Sequence, residues 1–312
     1  MTFDDRPGPA MTAVRIHDFG GPEAIRHDRV PRPVPGPGQV LVRVAAAGFN
    51  PSDTGFRGGL MRGVVPVELP FTLGSEASGT VVQVGAGVTH LRVGDPVTGR
   101  TDGGATAEYL TADAALMVRV PSVLPLTHAA AVPVAGGTAW QALFEHARTE
   151  KGTRVLVNGA GGGVGMFAVQ LARHAEAHVI AVAGPRSAGR VRAYGAAQII
   201  DYTRERVLEA LAGPVDLLVH AVPSDPGELL PAVRSGGALV SVTVPALPPA
   251  GSGVAAHHFV ARNDPAQLAG LLALVAAGQV RVDAEVRPFA ELAQVHRDAE
   301  AGRISGKVVV RP

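Results

Sequence analysis

Arg154-Val155-Leu156-Val157-Asn158-Gly159-Ala160-Gly161-Gly162-Gly163-Val164-Gly165 is the stretch on which the fold turns. A β-branched apolar run breaks into glycines and resumes with Val164, Phe167, Ala168 and Leu171 at helical spacing, which predicts strand, tight turn and helix. Without a Cβ, Gly162 and Gly163 allow a sharp turn and the close approach of a pyrophosphate, whose charge suits the free N–H groups and dipole of a helix start. The spacing Ala160-x-Gly162-x-x-Gly165 carries Ala where the usual fingerprint has its first Gly. A glycine-rich turn that only joins strand to helix is the bland alternative; the position after a strand and before a helix favours nucleotide binding.

Composition narrows the class. At 312 residues the chain has room for two cores, and 46% hydrophobic content rich in Ala, Val, Gly and Leu suits an α/β protein. Aromatics are 4%, so stacking platforms for bases are scarce, and 28 basic against 27 acidic residues leave a net charge of +1 with no basic run. Neither nucleic acid nor an anionic membrane is indicated. There is no cysteine, which removes disulfides, thiolate zinc sites and a cysteine nucleophile, and fits a reducing cytoplasm. Val120 to Phe144 and Ser235 to Ala261 lack charged residues, but prolines and glycines interrupt both, so buried core and loop are expected there and not a membrane span. The first ten residues carry Asp4, Asp5 and two prolines, and read as a disordered leader before Met11 without the apolar run of a signal peptide.

From Thr12 to about Met117 short strands alternate with glycine and proline turns, including Ala13 to Ile16, Gln39 to Ala47, Gly79 to Val84 and Thr106 to Leu110. This predicts a barrel-like β domain. A helical stretch over Thr127 to Ala147 leads to the quoted unit. Strand and helix patterns then alternate through His178 to Val182, Ser187 to Tyr194, Gln198 to Ile200, Arg204 to Leu211, Asp216 to Val219, Gly227 to Val233 and Ala238 to Val242, which predicts βαβ units and a doubly wound parallel sheet. Val254 to Ala261, a helix over Asp264 to Ala277, a strand over Gln279 to Val286, a helix from Pro288-Phe289 to about Ala301 and a closing strand Lys307 to Val310 form a tail too short to fold alone. Its natural partner is the N-terminal β domain. The expected division is 1–131 with 259–312, and 132–258.

Past the second strand of a nucleotide fold, a chain using NAD carries Asp or Glu for the ribose hydroxyls. Here the residues are Ala183-Gly184-Pro185-Arg186-Ser187-Ala188-Gly189-Arg190. With no carboxylate available, Arg186, Ser187 and Arg190 suit a 2′-phosphate through charge-assisted hydrogen bonds. Ordinary surface arginines at a helix start are the alternative; the missing acid and the present bases together favour NADP.

The order of β domain, nucleotide unit and returning tail, with Gly48-Phe49-Asn50-Pro51-Ser52-Asp53, Leu73-Gly74-Ser75-Glu76-Ala77-Ser78-Gly79, Val93-Gly94-Asp95-Pro96-Val97 and Asn158 to Gly165, resembles the medium-chain dehydrogenase/reductase superfamily, in its zinc-independent NADPH:quinone oxidoreductase branch. The resemblance runs from about Met11 to Pro312 and implies a Rossmann domain with a GroES-like β-barrel domain that is discontinuous in sequence. Asn50 stands where the zinc-dependent branch has its first metal cysteine and Ser75 where it has its metal histidine, and the four-cysteine lobe near Arg100 to Ala107 is missing, so no metal is implied. The resemblance further implies Asn50 and Thr138 beside the nicotinamide, Gly162, Gly163 and Val164 beneath the pyrophosphate, and Ser187 and Tyr202 beside the 2′-phosphate. One departure is Gly55, followed by Phe56-Arg57, where quinone reductases of this branch commonly show a tyrosine.

A reductase must place the acceptor carbon near the nicotinamide and stabilise charge on the acceptor oxygen. Asn50, whose amide offers two donors, is the best candidate, although Asn50-Pro51-Ser52-Asp53 is also a strong helix start with Asn as cap. Both hold if the backbone carries the cap. Asp53 and Glu76 read as structural carboxylates, and Arg57 and Arg262 as cleft or surface residues. His257 and His258, adjacent in an extended run, point to opposite faces and make no metal pair. The expected activity is NADPH-dependent reduction of a small quinone or α,β-unsaturated carbonyl compound in the cytoplasm. Reduction of an enoyl thioester, for which a small Gly55 gives room, and a non-catalytic NADPH-binding sensor are the alternatives. An apolar edge strand at Val254 to Val260 predicts a homodimer.

Overall fold

The computed structural model describes residues 9–63, 67–245, 247–248 and 250–312. The expected leader lies outside them up to residue 8, as do residues 64–66, 246 and 249 of the loops 56–70 and 245–253. The chain divides into two compact units: the described part of Met1–Val134 with Asn263–Ala276 and Val282–Pro312, and Ala135–Arg262 with Ala277–Arg281.

The second unit is built on the quoted stretch. Val155, Leu156 and Val157 are fully buried in the strand Arg154–Asn158. The parallel sheet runs Gln198–Ile200, His178–Val182, Arg154–Asn158, Val215–His220, Val233–Ser241, Ala255–His258. Val179 to Val182 are apolar without alternation because both faces of that strand are buried. Strand order reverses between Arg154–Asn158 and Val215–His220, and the crevice at their carboxyl ends is where such sheets take ligands. Asn158 and His220 pair in register at that point.

Several elements differ from their expected extents. The left-handed turn after the first strand is made by Gly159 (φ +89°), not by Gly162, whose φ of −88° is ordinary. A Cβ at Gly159 would lie 2.7 Å from Val222 Cγ1, so the turn falls where two strand ends crowd. The helical stretch over 127–147 comes as Leu126–Ala129, Pro133–Trp140 and a wider π turn Gln141–His146, restarted at Pro133. The helix over 204–211 shrinks to Val207–Ala210 because Arg204 and Glu205 N–H close a turn on Asp201 O. The strand expected over 279–286 begins only at Ala284. Gln279 and Arg281 have side-chain partners: Arg173 donates to Gln279 O (3.1 Å), and Gln170 donates to Arg281 O (3.0 Å) and accepts from Arg281 N (2.7 Å).

In the first unit one sheet runs Ala284–Pro288, Lys307–Arg311, Gln39–Phe49, Glu76–Val84, Pro96–Arg100, Val118–Arg119, with Tyr109–Asp113 also on Gln39–Phe49. A smaller sheet, Ile25–Pro31, Ala10–Ile16, Phe71–Thr72, is tied to it through Val14 N to Thr106 O and Glu108 N to Thr12 O. Inward residues of both sheets and the tail, among them Ile16, Val42, Phe49, Leu73, Val97, Phe289, Val295 and Val308, make one core. The tail is therefore part of this unit's interior. Its last strand pairs antiparallel with Gln39–Phe49 in the register Val308↔Phe49, Val309↔Gly48, Val310↔Ala47, which sets Lys307 opposite Asn50.

Candidate active site

Asn50 caps the helix Pro51–Arg57 through its backbone: Asp53 N donates to Asn50 O, and the Asp53 carboxylate accepts from Asn50 N, each at 2.9 Å. Pro51 at the first helical position suits that start. The Asn50 side chain reaches other partners, Nδ2 donating to Glu76 Oε1 (2.8 Å) and Oδ1 accepting from Lys307 Nζ (2.6 Å). Lys307 Nζ also donates to Glu76 Oε1 (2.5 Å) and Phe49 O (2.7 Å), while Glu76 Oε2 accepts from Val134 N (2.8 Å). Asn50, Glu76 and Lys307 are 6%, 0% and 4% exposed, so this ion pair is held by direct hydrogen bonds and not by solvent. Burial pushes the Asp53 carboxyl up to about 7, against the opposing pull of the Asn50 N–H and the Lys307 charge.

Glu76 is a buried structural carboxylate, which opens the strand Glu76–Val84 and is the ion-pair partner of Lys307. Lys307 was not anticipated as a site residue. The signal for it is compositional: of 28 basic residues only Lys151 and Lys307 are lysines, and Lys151 is an exposed partner of Glu176. Arg57 is not a surface residue: it is buried and paired with Glu300. Beside it His296 is fully buried, with its ring edge-on to Phe49 (centroids 5.0 Å apart). Desolvation first and Arg57 second pull the His296 pKa down to about 3. An added Cβ at Gly55 would lie 3.3 Å from Leu60 Cδ2, so Leu60 takes up part of the room that a missing tyrosine would leave.

The second unit holds the other predicted residues. Gly162 caps the helix Gly163–His174, which opens with Gly163 and Val164. A Cβ at Gly161 would lie 2.3 Å from Ser187 Oγ, so the loop runs against the start of the helix Pro185–Ala193. Ser187 is buried and its hydroxyl donates to Gly184 O (3.2 Å). Arg186 and Arg190 lie exposed, one turn apart, on that helix. Tyr202 covers Gly184, where an added Cβ would meet its ring carbons and hydroxyl at 3.2–3.4 Å, and remains 60% exposed. Thus Gly161, Gly184, Ser187 and Tyr202 share one locality beside the glycine turn; the bare backbone at Gly161 makes room for Ser187, and at Gly162, where an added Cβ would meet only Gly159 O at 3.4 Å, the helix start stays open to a pyrophosphate. Thr138 is buried on the helix Pro133–Trp140.

At the strand crossover His220 Nε2 donates to Ser224 O (3.0 Å), so Nδ1 is the acceptor for Asn158 Nδ2 (3.1 Å). Desolvation lowers the pKa of this ring, which stays neutral and ties the two central strand ends together. Arg262 joins Glu145 in an ion pair (Nη2 to Oε1, 2.6 Å) within this unit. His257 lies near the His146 ring (5.6 Å between centroids). Among the described residues no three His, Cys, Asp or Glu side chains are grouped to hold a metal ion.

Residues 36–122 match the family model for the alcohol dehydrogenase GroES-like domain, and residues 194–310 that for zinc-binding dehydrogenase. The chloroplast envelope quinone oxidoreductase homolog of Arabidopsis thaliana is 34% identical over 249 residues, 76% of either chain. The chain belongs to the quinone oxidoreductase branch of the medium-chain dehydrogenase/reductase superfamily. The family fold is an α/β one, a GroES-like β domain with a parallel nucleotide-type sheet, and its members are oxidoreductases. A second A. thaliana relative, NADPH-dependent alkenal/one oxidoreductase, is 30% identical across 100% of this chain and 82% of its own. The structure of Escherichia coli quinone oxidoreductase complexed with NADPH superposes with a TM-score of 0.87 over 96% of this chain and all of that one, at 26% identity. No helix among the described residues is long and apolar enough to cross a membrane.

Proposed function

We propose that this protein is an NADPH-dependent reductase of small quinones or α,β-unsaturated carbonyl compounds, active as a homodimer in the cytoplasm. When bound, NADPH supplies the hydride. Gly162, Gly163 and Val164 hold the pyrophosphate by backbone N–H groups at the helix start, and Arg186, Ser187, Arg190 and Tyr202 hold the 2′-phosphate. Asn50 and Thr138 border the nicotinamide, and Asn50 donates a hydrogen bond to the acceptor oxygen as charge develops on it. The observation that carries the cofactor reading is the end of the second strand: Ala183-Gly184 leads into Pro185-Arg186-Ser187, two exposed guanidiniums flank a buried hydroxyl, and no carboxylate stands there to repel a phosphate.

The test is steady-state oxidation of NADPH and NADH with a simple quinone and an enone. NADPH is the expected preference, and Arg186→Ala raises KM for NADPH about ten- to a hundredfold, as loss of a charge-assisted hydrogen bond does, while leaving KM for NADH unchanged. Equal use of both cofactors by the unaltered enzyme, or an Arg186→Ala effect of the same size on both, overturns the cofactor assignment.

A further inference from the structure

The Asn50 carboxamide lies between two opposite charges, and only one orientation suits both. With Oδ1 on the Lys307 ammonium and Nδ2 on the Glu76 carboxylate, each end meets its complement at 2.6 and 2.8 Å. Turned over, the amide would set NH₂ against ammonium and C=O against carboxylate at a site where neither charge is solvated. Oδ1 is thus engaged, one Nδ2 hydrogen is engaged, and one Nδ2 hydrogen is left.

We infer that Lys307 and Glu76 are positioning residues for the reduction proposed above, fixing the Asn50 carboxamide so that it presents a single N–H, and no oxygen, to the acceptor. The assignment rests on that reading of Asn50 as the donor. Three further observations support it. All three ammonium hydrogens of Lys307 have acceptors, Phe49 O, Asn50 Oδ1 and Glu76 Oε1 within 2.5–2.7 Å, a set that suits a compact point charge and not a planar guanidinium fork. This chain uses Arg at all but two of its 28 basic positions, yet Lys stands here. And the carboxylate is admitted by the bare backbone of Gly48, where a Cβ would lie 2.4 Å from Glu76 Oε1 and 2.5 Å from Ala130 O. An ammonium on Oδ1 also polarises the amide and strengthens its remaining N–H as a donor.

A mutant cycle tests this. Removing Lys307 alone strands a buried carboxylate, so the pair is neutralised together as Lys307→Met with Glu76→Gln. The paired variant is expected to lose about a hundredfold in kcat through misorientation of the donor, with the Kd for NADPH unchanged. Asn50→Ala is expected to lose about a hundred- to a thousandfold. Adding the paired change to Asn50→Ala should then slow the enzyme no further, because the pair acts only through Asn50. Full additivity of the two losses, or a paired variant with unaltered kcat beside a slow Asn50→Ala, overturns the positioning role and leaves the donor reading standing. An Asn50→Ala enzyme with unaltered kcat overturns the donor reading and this inference with it. Should the paired variant not fold, the unaltered enzyme decides. Its three asparagines, Asn50, Asn158 and Asn263, allow residue-selective ¹⁵N labelling. The two Asn50 side-chain protons should differ, one slow to exchange with solvent and one faster, and protons that exchange alike overturn the assignment.

Discussion

Asp53 carries an unfavourable charge above neutral pH. Its carboxyl titrates near 7 in the folded chain against 3.8 ordinarily, chiefly through burial. The folded state therefore binds a proton more tightly than the unfolded one between those values, and stability falls as pH rises through that window. Asp53→Asn keeps an acceptor for Asn50 N–H and removes the ionisation. It is expected to change little at pH 4 and to raise unfolding free energy by up to about 4 kcal/mol at pH 8, measured by urea denaturation. A variant equally or less stable than the parent at pH 8 contradicts this. His296 gives the opposite sign. With a folded pKa near 3, it is neutral in the native state, and stability is lost as pH falls below about 6.5. His296→Leu should flatten that acid limb of the same denaturation series. Asn50 and Asp53 were legible because a cap and its carboxylate are local pattern. Lys307 was not, because 257 residues separate it from Asn50 and only strand register joins them.

Elements whose hydrogen bonds close locally were readable, and those held by distant side chains were not. The strand Arg154–Asn158 and helix Gly163–His174 follow from an apolar run, glycines and 3.6-residue spacing. The stretch 279–283 has a strand's composition, but Gln170 and Arg173, more than a hundred residues earlier, take its backbone groups before a neighbouring strand does. Likewise the fingerprint points to Gly162 as the turning residue, whereas the left-handed conformation falls on Gly159, where an added Cβ would also crowd Ala221 and Val222 on the crossover strand's exit. Gly159→Ala meets both penalties, a Cβ at positive φ and a close approach to Val222. It is expected to cost about 2–4 kcal/mol, the sum of left-handed strain and overpacking, read from the urea midpoint. A midpoint unchanged from the parent would mean that the turn relaxes and that Gly159 is dispensable.

The outer strand of the parallel sheet sets the expectation for the assembly. Ala255–His258 pairs with Val233–Ser241 on one side and, among the described residues, with no strand on the other. Free edges are ordinarily blunted by charged residues, yet no Asp, Glu, Lys or Arg occurs from Ser235 to Ala261. Just beyond the strand the Phe259 ring lies tilted against that of His146 (4.2 Å between centroids), and Val260 is 86% exposed. An uncharged edge beside an exposed apolar side chain is the kind of surface that a second copy covers by pairing about a two-fold axis. Sedimentation equilibrium should therefore give a mass near twice 31.9 kDa. Val260→Asp should shift the mass to a single chain without lowering the urea midpoint at matched dissociation, since it adds charge where the strand's own pairing is untouched. A one-chain mass for the unaltered protein would mean that this edge tolerates water. A two-chain mass that survives Val260→Asp would move the interface to another face of the molecule.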